Sequence, residues 1–270
     1  MKRTTQEKLQ DLESILRDTG SAVVAYSGGV DSTLLLKVAH DCLGERALAV
    51  TAVSPSLPAH ERVEAEAIAC QIGARLVFIE SHEMGDARYR ENTPERCYFC
   101  KGHICDLLIA YAREEGYQAV VDGANADDVG DHRPGQRAAR ERGVRSPLQE
   151  VGLTKAEVRA LARQLGLPNW DKPSAACLAS RIPYGTPITV QRLSQVEQAE
   201  LALRRLGLRQ VRVRHHGPVA RIEVSPDDFD TVLAHREWIV DALTAQGYAY
   251  VALDLAGFRS GSMNEVMPIG

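Results

Sequence analysis

Three cysteines, one glycine turn that carries an aspartate, and a set of arginines are the residues of this chain whose types and spacing can do chemistry. Cys97-Tyr98-Phe99-Cys100 places two thiols three residues apart. Two thiolates at that spacing can share a zinc ion, an iron–sulfur cluster or a disulfide. Cys177 stands in Lys172-Pro173-Ser174-Ala175-Ala176-Cys177-Leu178-Ala179-Ser180-Arg181, a stretch without helix or strand periodicity. Small residues around it leave the sulfur open to approach. Lys172 and Arg181 flank it in sequence and could favour the nucleophilic thiolate; a packed loop thiol is the alternative. Cys42 and Cys70 fall on apolar helix faces and read as core residues. Cys105 falls inside the helix that follows Cys100 and reads as packed.

The second centre is residues 21 to 33. Ala22 to Ala25 is a short apolar run that reads as a buried strand. Ser27-Gly28-Gly29 turns the chain, and from Asp31 the apolar residues Leu34, Leu35, Val38, Ala39 and Cys42 recur at helical spacing. Strand, glycine turn and helix in that order make a phosphate cradle. Glycine allows close backbone approach, the first free N–H groups of the helix point into the turn, and the helix dipole adds positive potential. Ser27, Ser32 and Thr33 add hydroxyls; an ordinary helix start with an Asp or Ser cap is the alternative. No lysine stands in the turn, so this is neither Gly-x-x-x-x-Gly-Lys-Ser/Thr nor Gly-x-Gly-x-x-Gly. The run Ser27-Gly28-Gly29-Val30-Asp31-Ser32 resembles the PP-loop of the ATP pyrophosphatase superfamily. That resemblance implies ATP binding, adenylation of a substrate oxygen and release of pyrophosphate, with Ala25, Ser27, Gly28, Gly29, Asp31, Ser32 and Thr33 around the nucleotide.

Alternating elements position the cradle. The spacing predicts helices over residues 5–18, 60–72 (Val63, Ala67, Ile68 and Ile72 inward) and 99–115, and one capped by Thr154 that ends near Gly166. It predicts strands at 22–25, 47–53, 76–79 and 119–122, with a polar loop over 81–97. That alternation implies an α/β fold with a parallel, right-handed, doubly wound sheet. Ligands of such sheets bind at the carboxyl ends of the strands, where the cradle, Ser54 and the turn Gly123-Ala124-Asn125-Ala126-Asp127-Asp128 all fall. Asp127, Asp128 and Asp31 are candidates for holding Mg²⁺ on ATP phosphates, since Mg²⁺ prefers carboxylate and phosphate oxygens; a turn and helix cap is the alternative for the first two. Lys101 is a candidate for balancing phosphate charge, or else a solvated lysine. Residues 168–188 read as a connection. After it, helix 190–206, strands 211–214 and 220–224, helix 226–245 and strand 248–253 describe a smaller α+β domain. The expected domains are 1–187 and 188–270.

Taken together, the PP-loop, the Gly123–Asp128 turn, Arg133-Pro134-Gly135, the Lys172–Cys177 stretch and Gly257-Phe258-Arg259-Ser260-Gly261-Ser262 resemble the LarE family. These are ATP-dependent sulfur transferases of nickel-pincer cofactor biosynthesis. The match runs nearly the full chain. It implies an adenine nucleotide alpha hydrolase-like fold and adenylation of a pyridinium carboxylate mononucleotide, which then becomes a thiocarboxylate. In the sacrificial form one cysteine, matched by Cys177, gives up its sulfur and becomes dehydroalanine. Other relatives hold a [4Fe-4S] cluster with three cysteines, matched by Cys97, Cys100 and Cys177, and this chain follows that pattern. Arg212, Arg214 and Arg259 match arginines that hold phosphate-like groups where subunits meet. Guanidinium forks suit phosphate, and Arg212 and Arg214, two apart on a strand, face one side; solvated strand arginines are the alternative. Glu200, Glu223 and Asp230 are candidate metal or substrate carboxylates, and Arg181 a candidate catalytic group. The implied cofactors are ATP, Mg²⁺ and the cluster. The implied partners are a small nucleotide substrate, a sulfide donor and further copies of the chain, hexamers in the family.

Composition narrows the alternatives. The 270 residues are 44% hydrophobic and 25% charged, ordinary for a globular protein with a real core. The net charge of −4 argues against a tRNA thiolase, which needs a basic surface. The N-terminal residues lack an apolar leader and no segment approaches a membrane span, so a cytoplasmic location is expected. Six cysteines in such a chain read as thiols or ligands rather than disulfides. A nucleotide-binding module with a structural zinc at Cys97 and Cys100 is the remaining rival.

Overall fold

The computed structural model describes residues 3–128, 134–173 and 176–259. Arg133, Ser174, Ala175 and residues 260–262, which carry part of the resemblance, lie outside the described residues. In chain order the elements are α1 (Thr5–Thr19), β1 (Ala22–Ala25), α2 (Val30–Leu43), β2 (Ala47–Val53), α3 (Ala59–Ile72), β3 (Arg75–Glu80), α4 (Ala87–Arg90), α5 (Arg96–Glu114), β4 (Ala119–Asp122), α6 (Pro134–Glu141), α7 (Pro147–Glu150), α8 (Lys155–Gln164), α9 (Val190–Arg204), β5 (Val211–His216), β6 (Val219–Val224), α10 (Phe229–Ala234), α11 (Arg236–Thr244) and β7 (Tyr250–Leu253). They form two compact units: Met1–Asp86 with Glu95–Ala175, and Ala87–Pro94 with Ala176–Gly270. The sequence placed the division after residue 187. The contacts instead group residues 176–187 and the short segment Ala87–Pro94 with the second unit. The reason is Asn92. It is fully buried at φ +57°, and its amide donates to the carbonyls of Ile182, Pro183 and Thr186, while Ile188 N donates to Arg90 O.

In the first unit four parallel strands pair in the order β3-β2-β1-β4. Successive strand residues point to opposite faces, and here both faces are buried. Ala22 and Val24 enter one core with Leu12 and Leu16 of α1, Leu34 and Val38 of α2 and Leu161 of α8. Val23, Leu48, Val50 and Val120 enter another with Cys105 and Leu108 of α5 and Ala139 of α6. Helices therefore cover both sides of the sheet, as its continuous apolar strands require. Each such Leu or Val contributes roughly 1.5–3 kcal/mol by its burial. Thr4 and Thr154 start α1 and α8 with capping boxes to Glu7 and Glu157.

Helix α3 corrects the sequence reading. Its buried residues are Glu61, Ala65, Ile68 and Ala69, whereas Val63 is 66% exposed and Ala67 and Cys70 also face solvent. A carboxylate occupies an inward position that the apolar pattern had assigned elsewhere. It can do so because Lys172 pairs with it at 2.6 Å. Cys42, by contrast, packs against the core as expected. Helix α5 begins at Arg96, three residues earlier than predicted, so Cys97 and Cys100 both lie in its opening turns.

In the second unit β5 and β6 pair antiparallel around a turn at Gly217, φ +61°, and β6 pairs parallel with β7. Ala199 and Leu203 of α9 pack with Val211, Val213, Ile222, Ile239 and Leu243. The predicted helix 226–245 is two helices, α10 and α11, which meet at His235. Among the described residues no helix is long and apolar enough to cross a membrane.

Candidate active site

In the first unit the site begins at the end of β1, where Ala25 pairs with Val50 on one side and Asp122 on the other. Gly28 turns the chain at φ +70°, and a Cβ there would lie 2.9 Å from the Ala65 Cβ. Only glycine meets both demands. Gly29 is the N-cap of α2 and bears no capping side chain, so the first N–H groups of that helix are left to other partners. The hydroxyls gather around the turn. Ser27 N donates to Ser32 Oγ at 3.2 Å, the Ser27 and Ser32 hydroxyls are 3.1 Å apart, and Ser32 donates to Gly29 O at 3.1 Å. Thr33 is fully buried, and its Oγ1 accepts from Asn169 at 2.9 Å. Asn169 also donates to Gly28 O at 3.0 Å. The loop is thus braced from beneath by a residue that the sequence reading passed over.

Asp31 stands in the first turn of α2. Asn125 donates to its Oδ1 at 3.0 Å, and Lys155 pairs with its Oδ2. Lys155 opens α8, and its own backbone N–H donates to Asp127 at 2.8 Å. Asp127 is exposed, while Asp128 is buried and accepts from Asn125 N at 2.9 Å. Of the three candidate Mg²⁺ ligands, Asp31 and Asp127 reach the surface and Asp128 closes the turn. Gly123 meets a different constraint: a Cβ there would lie 2.8 Å from Ser32 N, so the turn after β4 presses against the start of α2.

Lys101 of α5 pairs with Asp122 at 3.0 Å, and Asp122 also accepts from Ser146 at 2.7 Å. Burial disfavours both charges, but the pair outweighs it. Asp122 is held below the usual carboxylate range and Lys101 above its ordinary value. Ser54, at the end of β2, shares a hydrogen bond with Ser56 at 2.8 Å, and Ser56 donates to the buried Glu83. Cys97 and Cys100 are half-buried thiols, with Arg96 3.8 Å from the Cys97 sulfur. Cys105 is buried and burial raises its thiol pKa, which suits packing rather than reaction.

In the second unit Cys177 is a half-buried free thiol at the start of a single 3₁₀ turn, Leu178–Arg181. Arg181 is 2% exposed and its guanidinium is fully engaged. It makes a two-armed pair with Glu200 at 2.8 and 3.0 Å and donates to the carbonyls of Ala176 at 2.5 Å and Cys177 at 2.9 Å. Glu200 also accepts from Val213 N at 3.0 Å. Arg214 donates to Ser180 O at 3.0 Å and pairs with Glu223 at 2.7 Å, and Arg221 takes the other oxygen of Glu223 at 2.9 Å. Glu200 and Glu223, which the sequence offered to metal or substrate, are therefore counter-ions of arginines. Arg181, offered as catalytic, holds the backbone on either side of Cys177 instead. Lys172, offered as its electrostatic partner, pairs with Glu61 and Glu64. Asp230 is in the opening turn of α10.

Arg212 and Arg214 are buried rather than solvated. Burial, then the nearby Arg181, pulls the Arg212 guanidinium down to about 10 despite Glu200. Its face lies over the Phe258 ring at 5.5 Å. Such crowding of cations favours an arriving anion. Arg259 lies 4.0 Å from Asp254.

No family model matches the chain. An uncharacterized protein of Synechocystis is 47% identical over 97% of this chain and 98% of its own. Pyridinium-3,5-bisthiocarboxylic acid mononucleotide synthase of Lactiplantibacillus plantarum, a LarE protein, is 40% identical over 98% of this chain and 96% of its own. The chain belongs to the LarE family. Like other LarE proteins it is a sulfur-transferring enzyme that uses ATP. A protein of Methanothermobacter thermautotrophicus named a probable tRNA sulfurtransferase is 30% identical, but over only 54% of this chain and 40% of its own.

The LarE cysteines can be tested against a cluster. Cys97 and Cys100, one helical turn apart on α5 and partly open, fit as two thiolate ligands. Cys177, partly open as well, fits as a third by its chemistry. Among the described residues no group of three or more His, Cys, Asp or Glu side chains stands together as a metal site.

Proposed function

We propose that this LarE-family enzyme adenylates a pyridinium carboxylate mononucleotide and converts it to a thiocarboxylate for nickel-pincer cofactor biosynthesis. The observation that carries the reading is the hydroxyl-lined turn at Gly28, in a chain that aligns end to end with a thiocarboxylate synthase. The substrate carboxylate oxygen attacks the α-phosphorus of ATP and pyrophosphate leaves. The N–H groups of α2 and the hydroxyls of Ser27 and Ser32 hold phosphate oxygens, with Thr33 bracing the turn and Gly29 giving room. Asp31 and Asp127 would hold Mg²⁺, which neutralises phosphate charge. Lys101 and Ser54 flank the site at the ends of the sheet. Sulfur then attacks the activated carbonyl carbon and AMP leaves as the C–O bond breaks.

Cys97, Cys100 and Cys177 would hold a [4Fe-4S] cluster. With three protein ligands such a cluster leaves one iron open to a sulfide. Arg181 keeps Cys177 presented through its hold on the neighbouring carbonyls. Arg212, Arg214 and Arg259 receive the substrate phosphate, a role that suits the burial of the first two and the crowding of cations around Arg212.

The reading rests on measurable products. Pyrophosphate should be released from ATP only when the pyridinium carboxylate mononucleotide is present, and mass spectrometry should find oxygen replaced by sulfur in it. Pyrophosphate release that responds to tRNA and not to the mononucleotide would favour the thiolase reading.

A further inference from the structure

Pro134 and Gly135, the end of the Arg133-Pro134-Gly135 stretch, open α6 against the cysteine pair of α5. A Cβ built at Gly135 would touch Cys97 O and Lys101 Cβ, each at 3.4 Å, so the two helices run close together there. The side chain that α6 grips is Tyr98, which stands between the two cysteines. The Arg137 guanidinium lies over its ring at 4.5 Å and that of Arg142 at 5.9 Å, and its hydroxyl donates to Glu141 at 2.5 Å. Arg137 also pairs with Glu95, the N-cap of α5, and lies 3.8 Å from Glu141, one turn further along α6. Beyond the cysteines Arg142 pairs with Asp106 at 2.8 Å, and a Cβ at Gly102 would lie 2.8 Å from its guanidinium. At about 100° per residue, Glu95, Tyr98, Gly102 and Asp106 share one face of α5, while Cys97 and Cys100 lie about 60° apart on the opposite face.

We propose that Tyr98 is a positioning residue for the cluster: gripped by Arg137 and Glu141, it fixes the roll of α5 and so the aim of the Cys97 and Cys100 sulfurs. The inference rests on the cluster reading above. Cys105, Leu108 and Ala112, the core residues that seat α5 on the sheet, all come after Cys100. Aim in the opening turns therefore comes from polar holds. Lys101 ties the same turn to Asp122 through one flexible stem. The flat Tyr98 ring, held on its face and at its tip, resists rotation of the helix about its axis. On a helix about 5 Å in outer radius, a roll of about 20° moves a sulfur about 2 Å, and a ligand site holds its geometry to within about 0.5 Å. The side chains of Arg137, Glu95 and Glu141 are 39–49% exposed. Ion pairs in such positions contribute little to stability, so the grip orients more than it stabilises.

Iron retention measures the hold on the cluster apart from turnover. The full chain is reconstituted anaerobically with ferrous iron and sulfide, then challenged with EDTA while iron release is followed. Tyr98→Ala should lose iron about tenfold to a hundredfold faster than wild type, the usual effect of removing a group that orients a metal ligand. Arg137→Gln should move in the same direction. Tyr98→Phe keeps the ring beneath Arg137 and should retain most of the wild-type hold. The EPR spectrum of the dithionite-reduced cluster should change form in Tyr98→Ala and not in Tyr98→Phe, a signature that a loss of stability alone would not move. Unchanged melting temperatures of the metal-free variants exclude a folding defect. Should Tyr98→Ala melt early, Arg137→Gln, altered on the exposed side of the grip, carries the test. Wild-type iron release with an unchanged spectrum in both Tyr98→Ala and Arg137→Gln would overturn this inference alone. A wild-type chain that takes up no iron would overturn the cluster reading and this inference with it.

Discussion

Asn169 reaches the glycine turn from beneath and donates to both Thr33 Oγ1 and Gly28 O, at 2.9 and 3.0 Å, through one side-chain amide. Asn169 is 5% exposed and Thr33 fully buried, so neither group can turn to water instead. The turn is therefore held in shape before any nucleotide arrives, which lowers the ordering cost of binding.

Removing that brace gives the first prediction. Asn169→Ala leaves the Gly28 carbonyl and the Thr33 hydroxyl without their donor, at a cost of about 1–3 kcal/mol in stability. The KM for ATP should rise more than kcat falls, because the loop must then order itself on binding. Urea unfolding and pyrophosphate release measure the two effects. An unaltered KM would show that the turn keeps its shape without Asn169.

A second prediction concerns Arg181 and Glu200, both 2% exposed. Cutting one partner of a buried ion pair leaves the other charge stranded, at a cost of about 3–5 kcal/mol. Arg181→Met and Glu200→Leu should each destabilise by that order, and the double variant by much less than their sum. Arg181→Lys should fold better than Arg181→Met yet lose activity, because an ammonium cannot reproduce the two-armed pair and still reach both carbonyls at Cys177. Additive single effects in denaturant titration would contradict the pairing.

Glu61 gives a pH dependence. Burial would raise its carboxyl pKa, but His60 and Lys172 outweigh burial and carry it from the usual 4.5 to about 2. A folded-state pKa below the unfolded one adds stability that is complete above about 4.5. That stability is lost as pH falls through the interval toward about 2. Its full size is about 3 kcal/mol by the usual conversion. The stability difference between wild type and Glu61→Gln should therefore be large at pH 7 and shrink steadily in acid. A difference that stays constant down to about pH 3 would rule out the depressed pKa.

Much of this was legible in the residues, and particular physics hid the rest. The apolar runs at Ala22–Ala25 and Ala47–Val53 could only be strands buried on both faces, and glycines followed by helical spacing announced the cradle. Thr154 was legible as a cap, but the residue after it drew no notice, and Lys155 matters only because β4 and α2 bring Asp31 to it. Asn169 likewise gains its role from residues more than a hundred positions away. Val63 misled because hydrophobicity ranks a valine above a glutamate for an inward position, and a lysine from elsewhere reversed that order at Glu61. Periodicity reports a residue's own preference and says nothing of its counter-ion. The same blindness made Glu200 and Glu223 look like ligands when their partners are arginines.

The last prediction concerns the three cysteines. If Cys97, Cys100 and Cys177 hold a cluster, anaerobically prepared protein should contain iron and acid-labile sulfide, and zinc alone would instead favour a structural metal site. Each single change to serine at 97, 100 or 177 should lower the iron content and abolish multiple turnover, because a cluster with a single open iron needs all three thiolates to hold its other irons. Cys70→Ser, at an exposed position on α3, and Cys42→Ser, at a packed one on α2, should change neither. Turnover number separates the routes further. In the sacrificial route the Cys177 sulfur attacks the adenylated carbon, AMP leaves, and loss of the α-proton breaks the Cβ–S bond to give dehydroalanine. The chain then weighs less by the mass of H₂S after one round, and Cys97→Ser still yields one thiocarboxylate per chain. Intact Cys177 after several turnovers would exclude that route. Stoichiometric dehydroalanine at 177, with product capped at one per chain, would exclude the cluster.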